Sequence, residues 1–125
     1  MENKDKLIIL VDDNPVDLRL GKFFLSKKFS VATVPSAEKL FSLLENNDPA
    51  LILLDIDMPE MDGYEAIKIL KSKTRTKDIP VVFVTGMKDP QDEEMGRALG
   101  AVDYITKPFV LSMLIVCVEK HINVG

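Results

Sequence analysis

With 125 residues the chain has length for one domain around one core, read as residues 1–125. Sixteen Lys plus Arg against 20 Asp plus Glu give a formal charge of -4, which lacks the electrostatic pull that nucleic acid binding needs and excludes direct DNA contact as an expected role. A single cysteine excludes an internal disulfide, and the longest apolar stretch is far short of a membrane span, so a cytoplasmic protein is expected.

Strand-like apolar runs alternate with helix-like segments five times. After Met1-Glu2-Asn3-Lys4-Asp5-Lys6, which has no signal-peptide core, the first strand is predicted over Leu7–Val11. Asn14-Pro15, a cap residue and then Pro at the first helical position, opens the first helix, with Leu18, Phe23, Phe24 and Leu25 as its apolar stripe. A second strand covers Ser30–Val34. The second helix starts at Ser36, buries Leu40, Phe41, Leu43 and Leu44, and stops at Asn46-Asn47-Asp48-Pro49. The third strand is Leu51–Asp55, and the third helix follows Asp62-Gly63 to about Lys71. Thr74–Asp78 reads as a polar loop before the fourth strand, Pro80–Thr85. Asp89-Pro90 opens the fourth helix, which ends near Gly100. The last strand is Ala101–Ile105 and the last helix Val110–Ile122. This alternation predicts right-handed βαβ units and a doubly wound parallel sheet.

Four of these strands end in residues that carry chemistry: Asp12-Asp13, Asp55, Thr85, and Lys107-Pro108. Ligand sites in open parallel sheets lie beyond the carboxyl ends of the strands. Three carboxylates, a hydroxyl and an ammonium are therefore expected to converge at one sheet edge. Adjacent carboxylates repel unless a cation neutralises them, and oxygen-only ligands with room for water suit Mg²⁺, with Mn²⁺ as a substitute. An ionised Asp55 is also a competent nucleophile toward phosphorus, and phosphoryl transfer is mostly positioning and charge neutralisation. Each residue has a blander reading alone: a helix cap for the Asp pair, a turn residue for Asp55, a strand-end hydroxyl for Thr85, a solvated cation for Lys107. Their order and shared position at strand ends favour the phosphoryl site.

The motifs I-L-V-D-D-N-P at 9–15, L-L-D-I-D-M-P-E-M-D-G-Y-E at 53–65, V-F-V-T-G at 82–86 and D-Y-I-T-K-P-F at 103–109 carry a family resemblance over essentially the whole chain. The chain resembles the receiver domain of two-component response regulators, in size the stand-alone chemotaxis regulators. The resemblance implies a five-stranded, parallel, doubly wound α/β sheet of flavodoxin-like order 2-1-3-4-5 with five helices. It implies Asp55 as phosphoacceptor, Asp13 as a direct Mg²⁺ ligand, Asp12 acting through a water, and the Asp57 carbonyl as the remaining protein ligand. It further implies Thr85 and Tyr104 as a switch pair, Lys107 as the phosphoryl-contacting cation, and a cis peptide at Pro108. Asp57 and Met87 are expected to tune hydrolysis, Met87 by shielding the acyl phosphate. The implied partners are a sensor histidine kinase or phosphotransfer protein and an output domain or partner protein. No membrane partner is expected.

The last helix is unusually apolar. Leu111, Leu114, Ile115, Val118 and Ile122 form a core stripe, which Val110, Met113 and Cys117 extend and Val116 interrupts on the polar side. A partner surface made by the fourth helix, fifth strand and fifth helix is expected there, as a homodimer or an output contact. Cys117 reads as packing, and His121, the only histidine, as a helix-end residue unable to build a zinc site. The main rival function is a haloacid dehalogenase-like phosphatase, because Asp55-Ile56-Asp57 has that family's D-x-D form. In that family the D-x-D opens the chain and an acidic motif follows the lysine; here Asp12-Asp13 comes first. A phosphorylation-independent interaction module fits poorly with a complete set of site residues. A flavin site lacks its phosphate loop after the first strand.

Overall fold

A computed structural model describes residues 3–86 and 90–122. Five strands, β1 (Asn3–Val11), β2 (Phe29–Val34), β3 (Leu51–Asp55), β4 (Val81–Thr85) and β5 (Asp103–Thr106), form one parallel sheet in the order β2-β1-β3-β4-β5. The five helices are α1 (Pro15–Leu25), α2 (Ala37–Leu44), α3 (Gly63–Ser72), α4 (Pro90–Ala98) and α5 (Leu111–His121). This is the flavodoxin-like arrangement expected.

Strand alternation sends neighbouring apolar residues to opposite faces. Ile8, Leu10, Leu53 and Val84 pack with Leu25 of α1 and with Leu114 and Val118 of α5. Ile9, Val11, Leu54 and Phe83 pack on the other face with Leu40 of α2 and Ile67 of α3. β3, β4 and the Ile8–Val11 half of β1 are thus buried on both sides, which is why these stretches read as apolar runs. Helix starts follow local side-chain chemistry. Asn14 accepts from the amides of Val16 and Asp17, Ser36 from Lys39, and Asp62 from Glu65.

Several boundaries and burial assignments differ from expectation. β1 begins at Asn3 rather than Leu7, because the charged stretch before Leu7 is held by backbone acceptors: the Ser30 hydroxyl donates to the Lys4 carbonyl at 2.5 Å, and the Lys4 ammonium donates to the Ser26 carbonyl. β5 begins at Asp103 rather than Ala101, since Gly100 takes a left-handed φ of 112° and the Ala101 amide returns to the Gly96 carbonyl to close α4. Phe23 is 63% exposed, not part of the α1 stripe. It lies about 140° round the helix from Leu18, and the buried line runs through Gly21 and Leu25 instead. Leu111 is likewise exposed, whereas Cys117 is buried and so does not extend the outward apolar arc. Thr76, in the expected polar loop, is buried and donates its hydroxyl to the Leu70 carbonyl. The cap expected of Asp89 and the shield expected of Met87 lie outside the described residues.

Candidate functional site

β1 and β3 are neighbours in register, so their carboxyl ends deliver Asp12-Asp13 and Asp55 to the same place. Carboxylate oxygens of Asp12, Asp13 and Asp55 lie within 4.8 Å of one another. Asp12 and Asp55 are buried, while Asp13 is exposed. One oxygen of Asp12 accepts from the Asn14 amide at 3.0 Å, which fixes the turn into α1. The other is buried and paired with the Lys107 ammonium 2.5 Å away.

β4 and β5 bring the remaining groups. Thr85 is fully buried at the end of β4, one residue beyond Val84, the register partner of Asp55. Its carbonyl accepts from the Lys107 amide at 2.8 Å, which ties the lysine-bearing turn to this edge. The Lys107-Pro108 peptide is cis. The Lys107 ammonium lies 2.9 Å from Asp17 and 3.8 Å from Asp55 as well as beside Asp12. Asp17 was not singled out in the sequence. The signal for it was its place three residues after the Asn14 cap, in the first turn of a helix that starts at the site.

The loop from Asp55 to α3 is closely fitted. The Gly63 amide donates to the Ile56 carbonyl at 2.8 Å. A Cβ on Gly63 would stand 2.6 Å from the Asp55 carbonyl oxygen and 2.8 Å from the Ile56 Cα, so glycine alone lets the start of α3 pack against the strand end. Glu60, at the top of this loop, holds a left-handed φ of 71°. Asp57 is exposed, and its amide donates to the Asp55 carboxylate.

Electrostatically the site carries more negative than positive charge. Burial first, then the Asp12 charge, pushes the Asp55 carboxyl up to about 7, against the lowering effect of Lys107 and the Asp57 amide. Burial pulls the Lys107 ammonium down, but Asp12, Asp17 and Asp55 outweigh it and hold it above its ordinary value. Three converging carboxylates with one ammonium among them are what a small hard cation would complete. The all-oxygen donor set fits Mg²⁺ or Mn²⁺.

Tyr104 stands opposite Phe83 in the β4–β5 register, partly buried against the core face that carries α2 and α3. A second tyrosine, missed in the sequence, packs there. Tyr64 meets Phe83 edge-on at 5.6 Å and donates its hydroxyl to Asp92 at 3.1 Å, linking α3 to α4. Burial and Asp92 raise the Tyr64 hydroxyl well above its ordinary range, so it stays protonated.

Residues 8–119 match the family model of the response regulator receiver domain. A probable cyclic di-GMP phosphodiesterase of Vibrio cholerae is 38% identical over 93% of this chain, which spans 26% of that protein. The TorCAD operon transcriptional regulatory protein TorR of Escherichia coli is 34% identical over 90% of the chain, which spans 48% of it. The chain therefore covers about a quarter and about half of these two relatives. Among solved structures, the phosphorylated cyanobacterial phytochrome response regulator RcpA superposes with a TM-score of 0.79 at 33% identity, covering 92% of this chain and 89% of that one.

Proposed function

The chain belongs to the response regulator receiver domain family, whose members are phosphorylation-activated signalling switches, and on that premise we propose that Asp55 is its phosphoacceptor. The observation that carries this is the Asp55 carboxyl itself. It is buried at the end of a central strand, with carboxylate oxygens of Asp12 and Asp13 within 4.8 Å and the Lys107 ammonium at 3.8 Å. In the transfer, an Asp55 oxygen attacks phosphorus. The O–P bond forms as the N–P bond of a phosphohistidine donor breaks, and the electron pair leaves on the imidazole nitrogen.

The residues divide the work. A divalent cation held by Asp13, Asp55 and the Asp57 carbonyl, with Asp12 acting through a water, would neutralise the carboxylates and the phosphoryl oxygens. Lys107 then exchanges an Asp12 contact for a phosphoryl oxygen. The Thr85 hydroxyl donates to another phosphoryl oxygen, and Tyr104 turns into the space Thr85 leaves, because a packed core has few intermediate arrangements. The protein turns over no separate substrate. Its chemistry is its own phosphorylation and dephosphorylation. A histidine kinase or phosphotransfer protein supplies the phosphoryl group in the cytoplasm. The altered α4, β5 and α5 surface acts on an output domain, a partner protein or a second copy of the chain. Among the described residues no helix is long and apolar enough to cross a membrane.

On that surface Met95, Val110 and Met113 are exposed. Sedimentation with and without a beryllofluoride phosphate mimic, on wild type and Met113→Glu, tests the homodimer form. A monomer in both states removes it. The haloacid dehalogenase-like reading finds no support, since the receiver family accounts for residues 8–119. For Asp55, intact mass after treatment with a small-molecule phosphodonor and Mg²⁺ is expected to rise by one phosphoryl group, and Asp55→Asn to abolish the gain. Full labelling of the Asn variant would sink the assignment.

A further inference from the structure

At the opposite end of β5 from Lys107, Asp103 gathers a second cluster with different chemistry. Its Oδ2 lies 2.8 Å from His121 Nε2 and accepts from the Cys117 thiol at 3.6 Å. Its Oδ1 accepts from its neighbour's amide, that of Tyr104, at 2.8 Å, and from Arg97 of α4 at 3.4 Å. Arg97 is itself fixed by Glu93 and by the Val102 carbonyl. The carboxylate is thus anchored by one oxygen, leaving the other aimed at a sulfur and a nitrogen. Cys117 and His121 are four residues apart on α5, hence on one face of the helix.

We propose that Asp103, Cys117 and His121 bind a borderline-soft divalent cation, of which Zn²⁺ is the biological example. The three donor atoms lie within 4.8 Å of one another. Tetrahedral Zn²⁺ with bonds of about 2.0–2.3 Å keeps its ligands roughly 3.3–3.7 Å apart. The oxygen-to-sulfur distance already matches, and the oxygen-to-nitrogen distance needs to open by less than an ångström. Three protein ligands leave the fourth position for water, which reaches the cluster because the His121 and Asp103 side chains are 16% and 22% exposed.

The donor set separates this site from the acidic one. Sulfur and imidazole nitrogen favour Zn²⁺ or Co²⁺ over Mg²⁺, whereas Asp12, Asp13 and Asp55 offer oxygen alone. Burial, then Asp103, pushes the Cys117 thiol up to about 12, so without a cation it stays protonated and unreactive. A bound cation replaces that proton, and affinity therefore rises with pH. Arg97 keeps its contact with Oδ1, and with the ion on Oδ2 the start of β5 and the last turn of α5 are joined beside Tyr104. A cation at this position would stiffen the surface assigned above to signal output.

Cys117 is the only cysteine in the chain, which makes the test specific. Reduced protein is titrated with Co²⁺ in excess Mg²⁺, and the thiolate-to-cobalt charge-transfer absorption is followed. The band should appear and saturate stoichiometrically, be displaced by Zn²⁺, and survive Asp55→Asn. His121→Gln and Asp103→Asn should each weaken binding at least as much as the ~10–100-fold that loss of an outer partner costs at metal sites. Far-ultraviolet circular dichroism confirms that each variant is folded. Absence of the band in folded wild type overturns the proposal. So does a band that is unchanged in both variants, since Cys117 would then bind cobalt without this cluster.

Discussion

Asp55 and Asp103 are both carboxylates at the ends of strands in one sheet, and their surroundings move them in opposite directions. Burial raises both. At Asp55 the neighbouring Asp12 adds to the burial, and the carboxyl rises to about 7. At Asp103 the donors outweigh burial. His121, the Tyr104 amide and the Cys117 thiol all favour the anion, and the carboxyl is held below its ordinary value. The contrast separates an acid raised by burial and a second acid from one whose donors favour its anion. Both depth and neighbours differ: the Asp55 side chain is 4% exposed and faces an acid, while that of Asp103 is 22% exposed and faces donors.

The largest test of this contrast is a reversal of sign between two identical substitutions. In EDTA at pH 8, Asp55→Asn removes a charge that the fold disfavours and should stabilise the protein by roughly 1–3 kcal/mol. Asp103→Asn removes the acceptor of charge-assisted hydrogen bonds and should destabilise it by about 1 kcal/mol. Urea unfolding of both variants reads the difference. Stabilisation by both, or loss by both, breaks the comparison.

The pH dependence sharpens it. The folded pKa of Asp55 lies above its unfolded value of 3.8. Between these two values the native state binds more protons than the unfolded state, so this group's contribution falls as pH rises from about 4 to about 7. Metal-free protein should lose stability across that window, Asp55→Asn should lose less, and Mg²⁺ should restore wild type at the upper end. Asp103 has the opposite sign. Its contribution is present above the unfolded carboxylate pKa and is lost only as pH falls below it. A wild-type profile that rises steadily from pH 4 to 7 in EDTA would contradict the assignment for Asp55.

The smallest effect is a control outside both clusters. Glu60 holds its left-handed φ at the top of the loop below Asp55. Glu60→Gly relieves that backbone and should stabilise the protein by about 0.5 kcal/mol after the entropy cost of glycine. The gain should be similar at pH 5 and pH 8, since its cause is steric. A gain that varies strongly with pH would make Glu60 part of the charge system.

The sheet was legible because its central strands are buried on both faces and read as apolar runs. The order of chemistry-bearing residues after those runs was legible too, and Asp12, Asp13, Asp55 and Lys107 do converge. What failed depended on rotation about a helix axis or on contacts between distant elements. Phe23 and Leu111 are apolar but turned outward, which composition does not show. Asp17 reaches Lys107 only because α1 starts at the site. Cys117 and His121 looked like packing and a helix end when considered singly. Their four-residue spacing was visible, but Asp103, whose carboxylate joins them, sits across the β5–α5 connection. A relation among three residues on two elements is a property of the fold, not of any one segment.

The central claim is that Asp55 alone receives the phosphoryl group. Its most direct test is to phosphorylate the protein with a small-molecule donor and Mg²⁺, reduce the acyl phosphate with borohydride, and map the altered residue by peptide mass spectrometry. The account predicts reduction at Asp55 and nowhere else. Reduction at Asp12, Asp13 or Asp57 with Asp55 intact would contradict it.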